Sequence, residues 1–217
     1  MKRPDGPALE GFGAAYWEER YRSGAGTGKH DRSPSLVTAT AGLGPATALD
    51  AGCGVGMDAL WLAAQGWHVT AVDVSATALD QGRQAALSAG PAFAERIEWV
   101  HGDLTEWDPG RAFDLVSSHY VHVPGPPEEL FRRLAAWVAP GGTLLVVGHD
   151  ADHGHGHAHP TGARVRAEQV VAGLAPDRWD VLVAEPRSHT MQRPGGGGSV
   201  TLIDVVVHAT RRTAPPP

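Results

Sequence analysis

The stretch Ala48-Leu49-Asp50-Ala51-Gly52-Cys53-Gly54-Val55-Gly56-Met57-Asp58 constrains this chain more tightly than any other. A short apolar strand ends in Asp50, and glycines at 52, 54 and 56 make a turn. Met57, Leu60, Trp61 and Ala64 then recur at helical spacing, and Gly66 stops the helix. A second strand, rich in β-branched residues, runs from His68 into Asp73. Strand, glycine turn, helix and strand make a βαβ unit of the nucleotide-binding kind. Its glycines let the backbone come close to a ligand, and an acid after the second strand suits a ribose diol.

The loop also discriminates between ligands. In the dinucleotide fingerprint G-x-G-x-x-G the third glycine would fall at position 57, which is Met. A pyrophosphate on a helix N-terminus is best served without a nearby anion, yet Asp50 precedes the loop and Asp58 lies in the first helical turn. Such carboxylates suit a cation. An NAD(P)-dependent Rossmann oxidoreductase is therefore the alternative that this loop disfavours.

With its acid first and glycines at every second position, the segment resembles the first motif, D/E-x-G-x-G-x-G, of class I S-adenosylmethionine (AdoMet) dependent methyltransferases. That family's ligand carries a sulfonium and an ammonium and no phosphate. The resemblance implies that Asp50, Gly52, Cys53, Gly54 and Gly56 hold the methionine end and Asp73 the ribose hydroxyls, with Val74 packed alongside. A third strand, Ile97 to Asp103, would present Asp103 and Leu104 to the adenine, the acid accepting from the exocyclic amine; a turn-capping role for Asp103 is the structural alternative. Ser118, near the end of a fourth strand from Phe113 to His119, becomes a further packing neighbour. The resemblance covers roughly residues 12 to 210. It implies an α/β fold: a Rossmann-like, seven-stranded, mostly parallel sheet with helices on both faces and an antiparallel terminal strand.

Composition narrows the partners. The 217 residues suffice for one domain with a full core, and the formal charge of −6 comes without a basic cluster, which argues against nucleic acid and anionic membranes. No apolar run is long enough to span a bilayer, and Met1-Lys2-Arg3-Pro4 begins no export leader, so a cytoplasmic protein is expected. The only cysteine, Cys53, excludes an intramolecular disulfide and reads as filler in the loop rather than as a nucleophile.

In chain order, residues 1–45 read as a helical lead and lid, 46–212 as the AdoMet-binding domain, and 213–217 as a disordered tail. Tyr16, Trp17 and Tyr21 gather on adjacent turns of the segment Phe12–Arg22, either packed on the sheet or closing over the ligand. Similar Trp-x-x-Arg-Tyr segments precede the first motif in thiopurine and tellurite-resistance methyltransferases, which that segment resembles. Ser35–Leu43 reads as a short helix. Ser75 is suited to N-cap a helix that ends before Gly90-Pro91. A helix led by Gly125-Pro126-Pro127 is expected to end at Pro140-Gly141-Gly142, followed by an apolar strand, Thr143–Gly148. After a helix near Arg166–Leu174, strands near Asp180–Glu185 and Val200–His208 have too little chain between them for a helical crossover, so the last should run antiparallel.

Ligands of such sheets bind beyond the carboxyl ends of the strands, which puts His119, Tyr120, His122 and His149 at the same rim as Asp50, Asp73 and Asp103. His119, His122 and His149 are the candidate catalytic bases, and Tyr16, Trp17, Tyr21 and Tyr120 the candidate acceptor and lid residues. His153, His155, His157 and His159 alternate with Gly and Ala and offer a ligand set for a divalent transition metal, which would make a non-enzymatic metal-binding protein a further alternative. The expected activity is methyl transfer from AdoMet to a small molecule (a thiol, a metalloid, or a natural-product hydroxyl or amine) by a monomer or homodimer.

Overall fold

A computed structural model describes residues 11–24, 32–150, 164–192 and 198–213. In chain order these form α1 (Ala14–Arg22), α2 (Pro34–Thr40), β1 (Thr47–Ala51), α3 (Met57–Ala64), β2 (His68–Asp73), α4 (Ala76–Ala89), the single turn α5 (Pro91–Ala94), β3 (Ile97–His101), β4 (Phe113–His119), α6 (Pro127–Ala136), β5 (Val138–Asp150), the two-residue β6 (Arg164–Val165), α7 (Ala167–Val171), β7 (Trp179–Gln192) and β8 (Ser199–Arg211). The sheet order is β3-β2-β1-β4-β5-β8-β7, with β6 beside the end of β5. Pairings from β3 through β5 are parallel. β8 runs antiparallel to both β5 and β7, as the short connection before it requires. Strand order reverses between β1 and β4, the place where α/β sheets bind ligands.

Alternating residues of the central strands feed two cores. Leu115, Leu145 and Val147 face α2 and α3, whereas Val116, Leu144 and Val146 face α6 and α7. Both faces are covered, so β5 reads as an unbroken apolar run from Leu144 to Val147. Burying each such leucine contributes about 2 kcal/mol. The rim of the sheet is therefore a rigid platform.

Several local expectations need correction. The α3 stripe of Met57, Leu60, Trp61 and Ala64 is only partly inward: Leu60 and Trp61 pack part-buried against the core and Met57 and Ala64 are exposed, whereas Ala59, Leu62 and Ala63 are wholly buried. The wholly buried residues of α3 are two alanines and Leu62, packed against Ala48, Val69 and Ala71 of β1 and β2 in one core cluster. Next, α6 ends at Ala136 rather than at Pro140-Gly141-Gly142, and those three residues form a bulge inside β5. Phe113 pairs with Val138 and Leu115 with Thr143, so the bulged strand carries three extra residues. Finally, α2 begins one residue earlier than expected, capped by the Ser33 side chain with Pro34 in its first turn. Ser75 caps α4 as anticipated, accepting from Ala78 N.

Candidate active site

One cavity of about 950 Å³ opens along the carboxyl ends of β1, β2, β4 and β5 and reaches the β7–β8 hairpin. Its first end is local to the opening motif. Asp50, at the end of β1, is buried, and its Oδ2 has no hydrogen-bond partner. Burial, reinforced by the nearby Asp58 carboxylate, pushes its pKa well above the ordinary range. Asp73, at the end of β2, accepts from Gly54 N on Oδ2 and from Ser75 N on Oδ1, each at 2.8 Å. Burial nonetheless outweighs those two amides and raises its pKa. Asp103 and Leu104 line the same cavity, but Oδ1 of Asp103 already accepts from Thr105 N and Oγ1, so this acid does cap a turn.

The glycines are required sterically. At Gly56, with φ +74°, an added Cβ would lie 2.3 Å from the Trp99 ring. At Gly54, with φ +54°, it would meet the Tyr21 hydroxyl at 2.5 Å. Gly56 and Ser118 themselves do not line the cavity; the former makes room for Trp99, and the latter is buried within β4. Burial and the two flanking aspartates drive the Cys53 thiol far above its usual pKa, which removes it as a nucleophile.

Between the two ends sits a buried pair. Nδ1 of His119 lies 2.8 Å from Oδ2 of Asp58, whose Oδ1 accepts from Ser33 N. Burial opposes charge on both groups, but their mutual attraction prevails: the imidazole is raised and the carboxyl lowered. His119 is thus predisposed to hold a proton and ties α2, α3 and β4 together. Its Nε2 has no hydrogen-bond partner.

α1 lies over the opening. Tyr16, Trp17 and Tyr21 are half-buried and line the cavity. Trp17 Nε1 donates to the His122 carbonyl at 3.2 Å, and its ring stacks on that imidazole at 6.1 Å. Glu18, on the same helix, accepts from Ser75 Oγ, Thr77 N and Thr77 Oγ1 and so fastens α1 to the N-terminus of α4.

The second end is assembled from distant segments. Tyr120, at φ +55°, donates its hydroxyl to Oδ2 of buried Asp204 at 2.5 Å. Asp204 Oδ1 lies 3.6 Å from His149 Nδ1, and the Tyr120 and His149 rings approach to 4.6 Å. A left-handed backbone at a non-glycine residue costs about 1–2 kcal/mol, which the hydroxyl bond and ring packing outweigh. Burial and the Asp204 charge keep the Tyr120 phenol protonated, with its pKa far above normal.

Residues 48–142 match the family described as a methyltransferase domain. Residue for residue, an uncharacterized methyltransferase of Mycobacterium tuberculosis is 36% identical over 115 residues, 52% of this chain and 55% of the relative. The chain thus spans about half the length of that curated relative. A probable thiol methyltransferase of Arabidopsis thaliana is 28% identical over 137 residues, 60% of each chain. In fold, the chain matches the 1,6-didemethyltoxoflavin-N1-methyltransferase of Burkholderia thailandensis, solved with 1,6-didemethyltoxoflavin and S-adenosylhomocysteine, at TM-score 0.64 and 22% identity over 98% of this chain and 93% of that one.

Around this cavity, sequence reasoning overlooked Glu18, Trp99 and Asp204. Asp204 had a legible signal: it is the one acid in the apolar run Leu202-Ile203-Asp204-Val205-Val206-Val207. Glu18 stands three residues before Tyr21, on the same face of α1. Trp99 had none, because its role is set by two glycines in other segments, Gly56 and Gly82. The tract His153–His159 lies outside the described residues; among the described residues no cluster of three or more His, Cys, Asp or Glu side chains could hold a metal. No described helix is long and apolar enough to cross a membrane.

Proposed function

We propose that this protein transfers a methyl group from AdoMet to a small-molecule acceptor. The observation that carries the reading is the row of acids, Asp50, Asp73 and Asp103, set along one cavity with the glycine loop between the first two. The buried Oδ2 of Asp50 and Nε2 of His119, neither of which has a protein partner, suit a ligand bearing both donors and acceptors at its amino-acid end. Asp50 and the Gly52–Gly56 backbone would hold that end, with Arg20 and Arg32 in the same lining as counter-charges for a carboxylate. Asp73 would take the ribose hydroxyls, and Val74, Asp103 and Leu104 would surround the base.

AdoMet, when bound, supplies a methyl carbon already activated by its sulfonium. What remains for the chain is alignment and exclusion of water. α1, fastened by Glu18 and Trp17, covers the opening, and orientation of this kind is worth an effective molarity of about 10⁵–10⁸ M. The charge of −6, free of basic clusters, favours a small molecule over nucleic acid as the acceptor. The Burkholderia neighbour, whose bound acceptor is itself a small molecule, supports the same reading.

Thermal denaturation tests this directly. S-adenosylhomocysteine at about a hundred times its dissociation constant adds roughly 2.7 kcal/mol, a rise of about 5–10 °C for a chain of this size. NADH is expected to leave the midpoint unmoved. Stabilisation by NADH alone would reverse the assignment.

A further inference from the structure

One arginine outside the cavity holds the turn that would meet the base. Gly102 to Trp107 follow β3, and Asp103 and Leu104 of that segment line the cavity. Asp103 organises the segment from within: Thr105 N and Oγ1 donate to its Oδ1, and Glu106 N and Trp107 N donate to its carbonyl at 3.0 and 2.6 Å. The Leu104 and Trp107 carbonyls are held from α6 instead, where Arg133 donates Nε to the first at 3.0 Å and Nη2 to the second at 2.7 Å. Arg133 is half-buried and does not itself line the cavity. Leu104 is almost wholly buried in the core that α6 helps to build, so its place in the cavity wall depends on where α6 stands.

Packing closes the bracket. The Arg133 guanidinium lies 5.4 Å from the centre of the Trp137 ring, and Trp137 meets Trp107 edge-on at 5.6 Å. Trp107 also fills the space beside residue 102, where an added Cβ would lie 3.1 Å from its ring. Two roles would explain a cation here. Arg133 stands in the last turn of α6, where the helix dipole favours any positive charge. That role asks only for charge. Holding the carbonyls of residues 104 and 107 together asks for a planar fork of donors, which a guanidinium has and a point-like ammonium lacks. The observed bonds, one from Nε and one from Nη2, are that fork in use.

Resting on the AdoMet reading of the cavity, we propose that Arg133 is a positioning residue for the adenine of the cofactor. By fixing the Leu104 and Trp107 carbonyls it sets where Leu104 and Asp103 stand against the base, without touching the ligand. Its effect belongs to the base alone, because on that reading Asp50, the glycine loop and Asp73 serve the rest of the ligand.

The test measures calorimetric binding of S-adenosylhomocysteine, and of S-ribosylhomocysteine, which lacks the base, by the wild type, Arg133→Lys and Arg133→Met. Both variants should bind S-adenosylhomocysteine about ten-fold more weakly and S-ribosylhomocysteine within about two-fold of the wild type, the size of one charge-assisted hydrogen bond lost at the base alone. Unchanged S-adenosylhomocysteine affinity in Arg133→Lys would assign Arg133 to helix charge and overturn the proposal. Equal loss for both ligands would mean a general loosening of the fold and overturn it as well. Where S-ribosylhomocysteine binds too weakly to measure, Arg133→Lys decides: weaker S-adenosylhomocysteine binding at an unchanged melting temperature supports the proposal, and a fall in both overturns it. If Arg133→Met does not fold, Arg133→Gln, which offers a donor to one carbonyl, takes its place. A wild type that fails to bind S-adenosylhomocysteine sinks the cofactor reading first; binding indifferent to Arg133 sinks this proposal alone.

Discussion

The two ends of the cavity are built on opposite plans. The first is assembled from Asp50, the Gly52–Gly56 turn, Asp73 and Asp103, all within a short span of chain, and its acids are held largely by backbone amides. The second brings Tyr120, His149 and Asp204 together across 84 positions of sequence through side-chain contacts. Backbone amides are available to any sequence that turns correctly, so the first plan leaves a compact motif. Side-chain networks depend on which strands meet, so the second leaves none.

Substitutions can break that contrast or sharpen it. The largest effect is expected for Asp73→Ala, which removes the acceptor for Gly54 N and Ser75 N and, on the proposed reading, the group that would take the ribose hydroxyls. Charge-assisted hydrogen bonds are worth about 1.5–3 kcal/mol each, so S-adenosylhomocysteine affinity should fall by about 100-fold or more in calorimetry. Asp204→Asn should do the converse, sparing affinity and lowering turnover. If both variants lost affinity equally, the two ends would be one unit.

Next comes Gly56→Ala. Its strained φ and the collision with Trp99 should cost about 2–3 kcal/mol and lower the melting temperature by about 5–10 °C. The effect belongs to the fold of the binding end and should appear without ligand.

The His119–Asp58 pair, which lies between the ends, should make stability depend on pH. His119 is raised above its unfolded value of 6.5, so its contribution is full below that pH and is lost as pH climbs through the raised value. Asp58 is lowered from 3.8, so its contribution is present above that pH and disappears as pH falls through the lowered value. Asp50, raised by burial from 3.8 to about 7, costs stability across that window, because the unfolded chain ionises there first. Melting temperatures should therefore decline from mildly acidic pH upward, and Asp58→Asn should make the part of that decline above pH 6.5 shallower. An unchanged slope would show that the pair carries no net stabilisation.

The smallest effect is expected for Glu18→Gln. It weakens the fastening of α1 to Ser75 and Thr77 but leaves the cavity lining intact, so S-adenosylhomocysteine should dissociate a few-fold faster in stopped-flow measurements. An unchanged rate would mean that α1 does not gate the site.

Particular residues mark where the sequence stopped being readable. The alternation of strands and glycine turns, the Ser75 cap and the reversed last strand rest on local chemistry or on chain length, and each was legible. On α3, Met57, Leu60, Trp61 and Ala64 and the set Ala59, Leu62 and Ala63 both fit a helical period, so spacing alone does not choose the inward face; packing against the sheet buries the second set. Asp58 was legible as an acid at a helix start but not as the partner of His119.

By itself, then, the sequence determined the parallel sheet, the reversal before its last strand and the glycine turn with its flanking acids, because turns, caps and strand periods are properties of neighbouring residues. Tertiary structure alone decided that Tyr120, His149 and Asp204 meet, that Trp17 of α1 packs on His122, and that His119 is buried against Asp58. Those pairings follow from strand order and register, which bring together residues that no local pattern relates.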